Sequence, residues 1–452
     1  MKKISIYILF LGVVVITGCD KKLDLKNPQA IDASEAFSTG DKVKKVLVGN
    51  YADLGGESLF GGDVLWMREL MASDGELNWV GSYPDPRQIW GKTIQEGNTY
   101  AATTYSLAYK VIFNANNIIA NVGVVDAAEQ AIVIAEAKFQ RGMAYFELVK
   151  YYGEKPYFSG NASSLKGVPL ITAPGPSAPQ DEFYQLPRAS VEAVYQQIIA
   201  DFTEAETKLP ATNGFYANKP SASLALARVY LQQEKFAEAR DAADRCISVA
   251  ATNGFTLVSS FEDAFNNSEN TTEDLFAIQV TEQAGTNSCF TFFSTNTYGA
   301  RNGDIQVTDK HYNKYNASDD RRSLFFLENA TWYCGKWRDI YKNVKVMRLA
   351  EAYLTRAECN RRLGTTTGAT VDADLNRTRS RAGLTTPIVG ATLQQILNER
   401  ELELAFEGQG LWDAKRLRLT IEGLAWDDNK LTFPIPLRER NVNPGLEQNP
   451  GY

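Results

Sequence analysis

Three copies of one short pattern restrict the fold of this chain more than any other feature of its sequence. In each copy a small residue stands three positions before a tyrosine, within a stretch whose apolar residues have helical spacing. The copies occupy residues 141–145, 226–230 and 349–353. A small residue lets a neighbouring helix approach closely, and the tyrosine fills the groove between the two helices. The pattern therefore predicts a mostly α-helical protein built from packed helix pairs.

The second copy is the most complete. Phe236, Ala239 and Ala243 follow Tyr230 at the offsets expected of the second helix of a tetratricopeptide repeat. The tyrosines of successive copies are 85 and 123 residues apart, whereas a regular array repeats every ~34 residues. We therefore expect tetratricopeptide-like helix pairs with long inserted loops. The proline-rich segment 153–190 and the irregular segment 252–345 are the predicted insertions.

The N-terminus has the features of an export signal. Two lysines precede an apolar run at residues 4–16, which is too short to span a bilayer, and small residues then lead to Cys19. This pattern is typical of a bacterial lipoprotein signal; a plain secretory signal with an incidental cysteine is the alternative. We expect cleavage of residues 1–18, lipidation of Cys19 and a polar tether at 19–30. One domain is then predicted over residues 31–452, with an N-terminal part to about residue 250 and a C-terminal part from about 251.

Charge and histidine content exclude several classes of function. The 452-residue chain has a net charge of −7, which gives a nucleic-acid partner no electrostatic support. His311 is the single histidine, so histidine-based triads elsewhere and multi-histidine metal sites are excluded. It stands in a predicted loop, where we expect a surface position. No phosphate-binding glycine motif occurs, and we predict neither a metal nor a cofactor.

Four cysteines follow Cys19 without any metal-binding spacing. Cys246 and Cys359 fall in helical patterns and are predicted to be buried. Cys289 and Cys334 lie in loop-rich sequence, where an exported protein often has disulfides. Spacing alone does not distinguish a disulfide between them from two free thiols.

The stretch from Asn398 to Arg416 combines several acidic residues with large apolar ones. Its composition predicts a helix that continues to the glycine pair around Gln409. Glu399, Glu403 and Glu407 stand one turn apart, so two of them are candidates for a general acid and base. The structural interpretation is favoured, in which these carboxylates pair with basic residues of the same stretch, namely Arg400, Lys415 and Arg416.

Two predicted loops, at residues 73–98 and 287–340, are rich in aromatic residues. Loops on a helical scaffold commonly carry binding sites. An aromatic ring covers the apolar face of a sugar, while amide and guanidinium groups hydrogen-bond to its hydroxyls. The candidate ligand-binding residues are Asp74, Asn78, Trp79, Tyr83, Arg87, Trp90, Tyr298, Arg301, Trp332 and Trp337. A place in the core is the alternative for each tryptophan.

Several motifs occur in a fixed order in the last part of the chain. They are LAEAY at 349–353, LNRTRSRAGL at 375–384, the 399–416 stretch, FPIP at 433–436 and NPGY at 449–452. Together with the lipoprotein signal, this ordered set resembles the SusD/RagB family, and the resemblance covers essentially the whole mature chain. The sequence departs from the usual family pattern at Gly410 and Leu417, where arginine and tryptophan are usual.

The resemblance implies a scaffold of four tetratricopeptide-like helix pairs. It also implies a surface lipoprotein of the bacterial outer membrane that forms a lid over a SusC-like TonB-dependent barrel. Such a protein captures oligosaccharides, or peptides in some members, for import, without catalysis and without a cofactor. Two other hypotheses stay open on the residues alone: a carboxylate-dependent glycan hydrolase, and a scaffold or adhesin that binds only protein. The sequence does not identify the nutrient.

Overall fold

The computed structural model describes residues 33–174 and 185–452. The predicted signal peptide, Cys19 and the tether lie outside the described residues. In chain order the helices are α1 (Ala33–Ala36), α2 (Gly40–Leu54), α3 (Asp63–Ala72), α4 (Pro84–Trp90), α5 (Thr99–Ala120), α6 (Ala127–Tyr152), α7 (Val191–Lys208), α8 (Lys219–Gln232), α9 (Phe236–Thr252), α10 (Ser288–Phe293), α11 (Asp309–Tyr312), α12 (Leu349–Leu363), α13 (Val371–Arg381), α14 (Leu393–Glu403), α15 (Gly410–Arg416) and α16 (Leu437–Val442).

The long helices pack in a row that follows the chain. Helix α2 packs on α5, then α5 on α6, α6 on α7, α7 on α8, α8 on α9, α9 on α12, and α12 on α13. Taken two at a time, these helices form four pairs. Each copy of the repeated pattern lies in the first helix of a pair, in α6, α8 and α12. The predicted fold, mostly α with tetratricopeptide-like pairs and long insertions, is confirmed.

The small residue of each copy marks a close helix contact. A Cβ atom on Gly142 would lie 2.7 Å from the ring of Phe202, so α6 and α7 approach more closely there than any other residue allows. Ala227 and Ala350 are completely buried. Tyr145 is buried as well, as expected of a side chain that fills the groove.

Among the described residues, six short strands lie within, or for the last one at the end of, the segments that were predicted to be loops. They are β1 (Leu77–Trp79), β2 (Asp274–Ile278), β3 (Ile305–Val307), β4 (Phe325–Glu328), β5 (Thr331–Cys334) and β6 (Val344–Arg348). One sheet has the order β1-β3-β5-β4, and β2 pairs with β6. The prediction of a long loop at 73–98 and of an irregular segment at 252–345 is therefore wrong where these strands form. Strands of three to five residues leave too short an alternation to be recognised in sequence.

The acidic helix ends earlier than predicted, at Glu403 rather than near Gln409. Beyond Glu403, buried side chains hydrogen-bond to the backbone carbonyls that amides of a further helical turn would otherwise bind. Lys336 donates hydrogen bonds to the carbonyls of Glu403 and Ala405, and Trp337 donates to the carbonyl of Phe406. These donors satisfy carbonyls that otherwise lack partners at a helix end.

Paired charges fill the interior beside this helix end, which confirms the structural interpretation of the acidic stretch. The partners, however, are mostly distant in sequence. Arg321 binds Glu399, and Arg348 binds both Glu403 and Glu407. Within the stretch itself, Arg400 and Arg416 bind Asp413, whereas the ammonium of Lys415 donates to the carbonyl of Leu431. The predicted pairing of the three glutamates with Arg400, Lys415 and Arg416 is therefore wrong.

His311 and the cysteines differ from expectation in their surroundings. His311 is buried against the ring of Phe406, with 4.5 Å between ring centroids, and burial lowers its pKa to about 3. The surface position predicted for it is wrong. Cys289 and Cys334 are buried, free thiols in α10 and β5, so no disulfide joins them. In the two described ranges, no helix combines the length and apolar character needed to cross a membrane.

Candidate functional site

The pairing of β1 with β3 brings the two aromatic segments together. The strands are antiparallel, with Leu77 opposite Val307 and Asn78 opposite Gln306. Directly after β1, the amide of Val80 donates to the carbonyl of Asp304 and extends the contact. Residues more than 200 positions apart in the chain therefore lie side by side.

Tyr83 and Arg301 form the best-defined contact on this edge. The guanidinium of Arg301 lies over the Tyr83 ring, 4.1 Å from its centroid, and donates a 2.9 Å hydrogen bond to the Tyr83 hydroxyl. It also binds the carboxylate of Asp304 at 2.6 Å. Tyr83 remains 41 % exposed. One side of the ring is therefore supported by the protein while part of it faces solvent.

Tyr298 provides a second exposed ring on the same loop as Arg301. It is 38 % exposed and packs edge-on against Phe326, with 5.2 Å between centroids. The guanidinium of Arg338 lies 5.6 Å from its centroid. Tyr298 and Arg301 are three positions apart in the chain, so their Cα atoms are at most ~11 Å apart. We call Asn78, Ser82, Tyr83, Tyr298 and Arg301 the Tyr83–Tyr298 surface.

The guanidinium of Arg301 stays charged near neutral pH. The hydrogen bond that Arg301 donates to the Asp304 carboxylate raises the pKa of Arg301 above its usual range and outweighs a small opposing effect of burial. The guanidinium is thus held in place as a permanent donor. Ser82 accepts a 3.4 Å hydrogen bond from Arg301 at the rim. Sequence reasoning missed Ser82 and Asp304, and no local signal marks either residue, because both roles depend on pairing between distant segments.

Other candidate residues lie around this surface. Arg87 is exposed and donates to the carbonyl of Gly81, and Asp74 is exposed and binds Lys310. Trp90 is half-buried, and its indole N–H donates to the carbonyl of Leu77. Trp332 is also half-buried and stacks on Tyr312 with 3.8 Å between centroids. These four residues support the loops, and parts of each reach solvent.

Two candidates are core residues instead, so their prediction as ligand platforms is wrong. Trp79 is 2 % exposed and packs against Trp66 and Phe292. Trp337 is 1 % exposed, and its indole N–H donates a hydrogen bond to the carbonyl of Phe406. Neither ring is accessible to stack on a ligand. Among the described residues there is also no cluster of three or more His, Cys, Asp or Glu side chains that would hold a metal ion.

The fold and the site together define a class of protein: a helical-repeat scaffold whose inserted loops present tyrosine rings supported by arginines. Comparison with known families is consistent with this class. Residues 21–231 match the family described as "Starch-binding associating with outer membrane", and residues 261–432 match the one described as "SusD family". The chain belongs to the SusD/RagB family, as its ordered motifs indicated.

Relatives extend over the whole chain. SusD-like protein P2 of Formosa agariphila is 27% identical, with 100% of each chain covered. A SusD superfamily protein of Bacteroides thetaiotaomicron has a TM-score of 0.81 at 24% identity, covering 91% of this chain and 100% of its own. Surface glycan-binding protein A of Bacteroides thetaiotaomicron has a TM-score of 0.74 at 18% identity, covering 91% of this chain and 99% of its own. These structures share the fold.

Proposed function

We propose that this protein is a cell-surface glycan-binding subunit of a nutrient-uptake system. The Tyr83–Tyr298 surface is the observation that carries the proposal. Two partly exposed rings stand on loops that are fixed by strand pairing and by the contacts of Arg301. A fixed ring covers the apolar face of a sugar without losing side-chain freedom on binding. The hydroxyls at the edge of the sugar would then accept hydrogen bonds from the guanidinium of Arg301 and the side-chain amide of Asn78.

A structural relative supports this choice of ligand. Surface glycan-binding protein A of Bacteroides thetaiotaomicron, which shares the fold, has been solved in complex with laminarihexaose. The bound glycan belongs to that protein, and it makes an oligosaccharide the first ligand class to test on this one. Peptides form the second class, since the exposed tyrosines also suit peptide contacts.

The role is non-catalytic in this proposal. The glutamates that suggested an acid/base pair are occupied in buried ion pairs: Glu399 with Arg321, and Glu403 with Arg348. A general acid or base has to reach the substrate directly or through one water. Carboxylates that are at most 2 % exposed do not meet that requirement. A hydrolase would need another pair of carboxylates.

Attachment and transfer complete the proposed role. Cleavage before Cys19 and lipidation of its thiol would hold the protein on the outer membrane, with the polar segment 19–30 as a tether and residues 31–452 as one surface-exposed domain. Captured glycan would pass to a SusC-like TonB-dependent barrel beneath it. This part rests on the lipoprotein signal and on family membership.

Affinity electrophoresis and calorimetric titration of the purified full-length chain test the binding role. The panel contains laminarin, starch and other neutral and acidic polysaccharides, their oligosaccharides, and peptides. Y83A/Y298A is the test variant and F113A is the matched control, because Phe113 is as exposed as Tyr83, at 41 %, but lies on α5. We expect binding without turnover that weakens at least about tenfold in the double variant. Binding that is unchanged in the double variant, or absent for every glycan and peptide, would refute the proposal.

A further inference from the structure

A second concave site shares no residue with the Tyr83–Tyr298 surface. It is a cleft of about 670 Å³ between the end of α3, one side of α14, α15 and the segment that follows α15. Its apolar lining includes Leu397 from α14, Leu404 directly after α14, and Leu417 and Ile421 from the last segment. A cleft of this size suits a small ligand or a few side chains of a peptide.

Glu69 lines this cleft and is 7 % exposed. Its carboxylate accepts a 3.3 Å hydrogen bond from the backbone amide of Gly410. A Cβ atom on Gly410 would lie 2.8 Å from the other carboxylate oxygen of Glu69, so a larger residue here would have to displace that carboxylate. Gly408, with φ of +77°, brings the backbone against α3 just before it. The glycine pair noted in the sequence therefore serves to hold the Glu69 carboxylate.

Among the described charged residues that line the cleft, Glu69 alone has no oppositely charged partner. Each lining cation has a carboxylate partner: Lys314 with Glu76 and Glu401, Arg362 with Glu358, Arg400 with Asp413, and Arg416 with Glu358 and Asp413. The remaining lining acid, Asp74, binds Lys310. Within the described part of the chain, Glu69 forms no ion pair.

An unpaired buried carboxylate is costly in free energy, and the surroundings of Glu69 reflect that cost. Burial raises the pKa of Glu69 to about 7, although the amides of Gly410 and Gly408 and the charges of Lys336 and Arg68 oppose the shift. Lys336 and Arg68 are themselves bound to Glu407 and Glu147. The side-chain amide of Gln409 also lines the cleft and has no hydrogen-bond partner among the described residues. Both polar groups are available to a ligand.

We propose that this cleft binds a primary ammonium group carried on a short aliphatic chain, such as a lysine side chain. The ammonium would pair with Glu69 and donate to the amide oxygen of Gln409, and the aliphatic chain would lie along Leu404 and Leu417. The inference does not depend on glycan binding at the Tyr83–Tyr298 surface.

The lining argues against a sugar in this cleft. Its two rings are those of Phe406 and His311, which are at most 4 % exposed and pack against each other. No lining residue therefore offers an open aromatic face. The apolar wall instead comes from leucine and isoleucine side chains, which match an alkyl chain.

Calorimetric titration of the purified full-length chain at pH 8, where Glu69 is largely ionised, tests the proposal. The charged probes are n-hexylammonium, a simple alkyl amine, and acetyl-lysine-amide, which carries a lysine side chain. The uncharged controls are hexanol and acetyl-norleucine-amide. We expect the charged probes to bind and E69Q to weaken that binding about tenfold or more. E136Q is the matched control because Glu136 is equally buried, at 7 %, but lies on α6. Glycan affinity should be the same in E69Q and wild type.

G410R provides an independent variant in case E69Q folds poorly. Its guanidinium would pair with Glu69 inside the cleft, so amine binding should be lost while thermal stability stays equal or rises. The proposal is overturned if the charged probes do not bind to the wild type, if they bind no better than the uncharged controls, or if G410R binds them as well as the wild type does.

Discussion

Arg348 and Glu403 form an ion pair of 2.9 Å at a position that water does not reach, since their side chains are 1 % and 0 % exposed. Arg348 also binds Glu273 and Glu407, and Arg381 binds Glu403 and Glu273. This network joins β6, the end of α13 and the end of α14. It explains why so many charged residues occur in the C-terminal stretch without requiring a catalytic role for them.

Breaking this network should destabilise the fold strongly. E403Q leaves Arg348 and Arg381 with one carboxylate fewer in the interior, and removing one partner of a buried pair typically costs about 3–5 kcal/mol. Urea denaturation followed by circular dichroism measures the free energy of unfolding. E447Q is the control, because Glu447 pairs with Lys166 at the surface and its loss should leave stability nearly unchanged. Equal effects of the two substitutions would contradict the account.

The same network predicts a loss of stability in acid. Burial by itself raises the pKa of Glu403, but Arg381, Arg348 and Arg321 outweigh burial and lower the pKa to about 2, from an ordinary value of 4.5. Stability from this group is therefore complete above pH ~4.5 and is lost as the pH falls towards 2. Unfolding curves between pH 6 and pH 3 should show this fall in the wild type and a shallower fall in E403Q. Parallel curves would exclude Glu403 as a source of the acid sensitivity.

Asp63 should have the opposite pH dependence. Burial, opposed by hydrogen bonds from Ser288 and Trp66, raises its pKa to about 7 from 3.8. Ionising it costs free energy, so its effect lowers stability as the pH rises from ~4 to ~7. In D63N the amide oxygen can still accept from both neighbours. We expect D63N to be more stable than wild type at pH 8 by roughly 1–4 kcal/mol and to lose this advantage at pH 4.5. A difference that does not vary with pH would contradict the assignment.

Arg301 should control how well Tyr83 binds ligand. In R301K the ammonium keeps the charge but loses the planar contact with the ring and the simultaneous bonds to Asp304 and Ser82. Glycan affinity should fall about fivefold, which corresponds to about 1 kcal/mol for such a contact. R245K is a matched control, since Arg245 binds Glu206 on the helical scaffold. Calorimetry that gives equal affinities for R301K and R245K would exclude this supporting role.

The buried thiols should be unreactive in the native protein. Cys246, Cys289, Cys334 and Cys359 are free and buried, and burial raises the pKa of each thiol. Titration with a chromogenic disulfide at pH 8, without reductant, should show four additional reactive thiols on denaturation. A gain of only two would mean that one pair had formed a disulfide.

Local patterns in the sequence predicted the scaffold well. The three copies of the repeated pattern lie in α6, α8 and α12, because small residues and tyrosines at helical spacing describe a contact between neighbouring helices. The four-stranded sheet was missed because its strands are short and because β1 pairs with β3 across more than 200 residues. Contacts between remote segments also explain the errors about Trp79 and Trp337: an aromatic residue in a short irregular segment gives no sign of which remote residues will cover it. The partners of Glu403 were missed for this reason too.

Hydrogen–deuterium exchange of the protein, with and without a saturating oligosaccharide from the panel, tests whether glycan binds at the Tyr83–Tyr298 surface. We expect slower exchange in residues 80–87 and 296–304, which carry Tyr83, Tyr298 and Arg301, and unchanged exchange in residues 393–421. Protection confined to residues 393–421, or to the helical scaffold, would contradict the assignment of the glycan site to the Tyr83–Tyr298 surface.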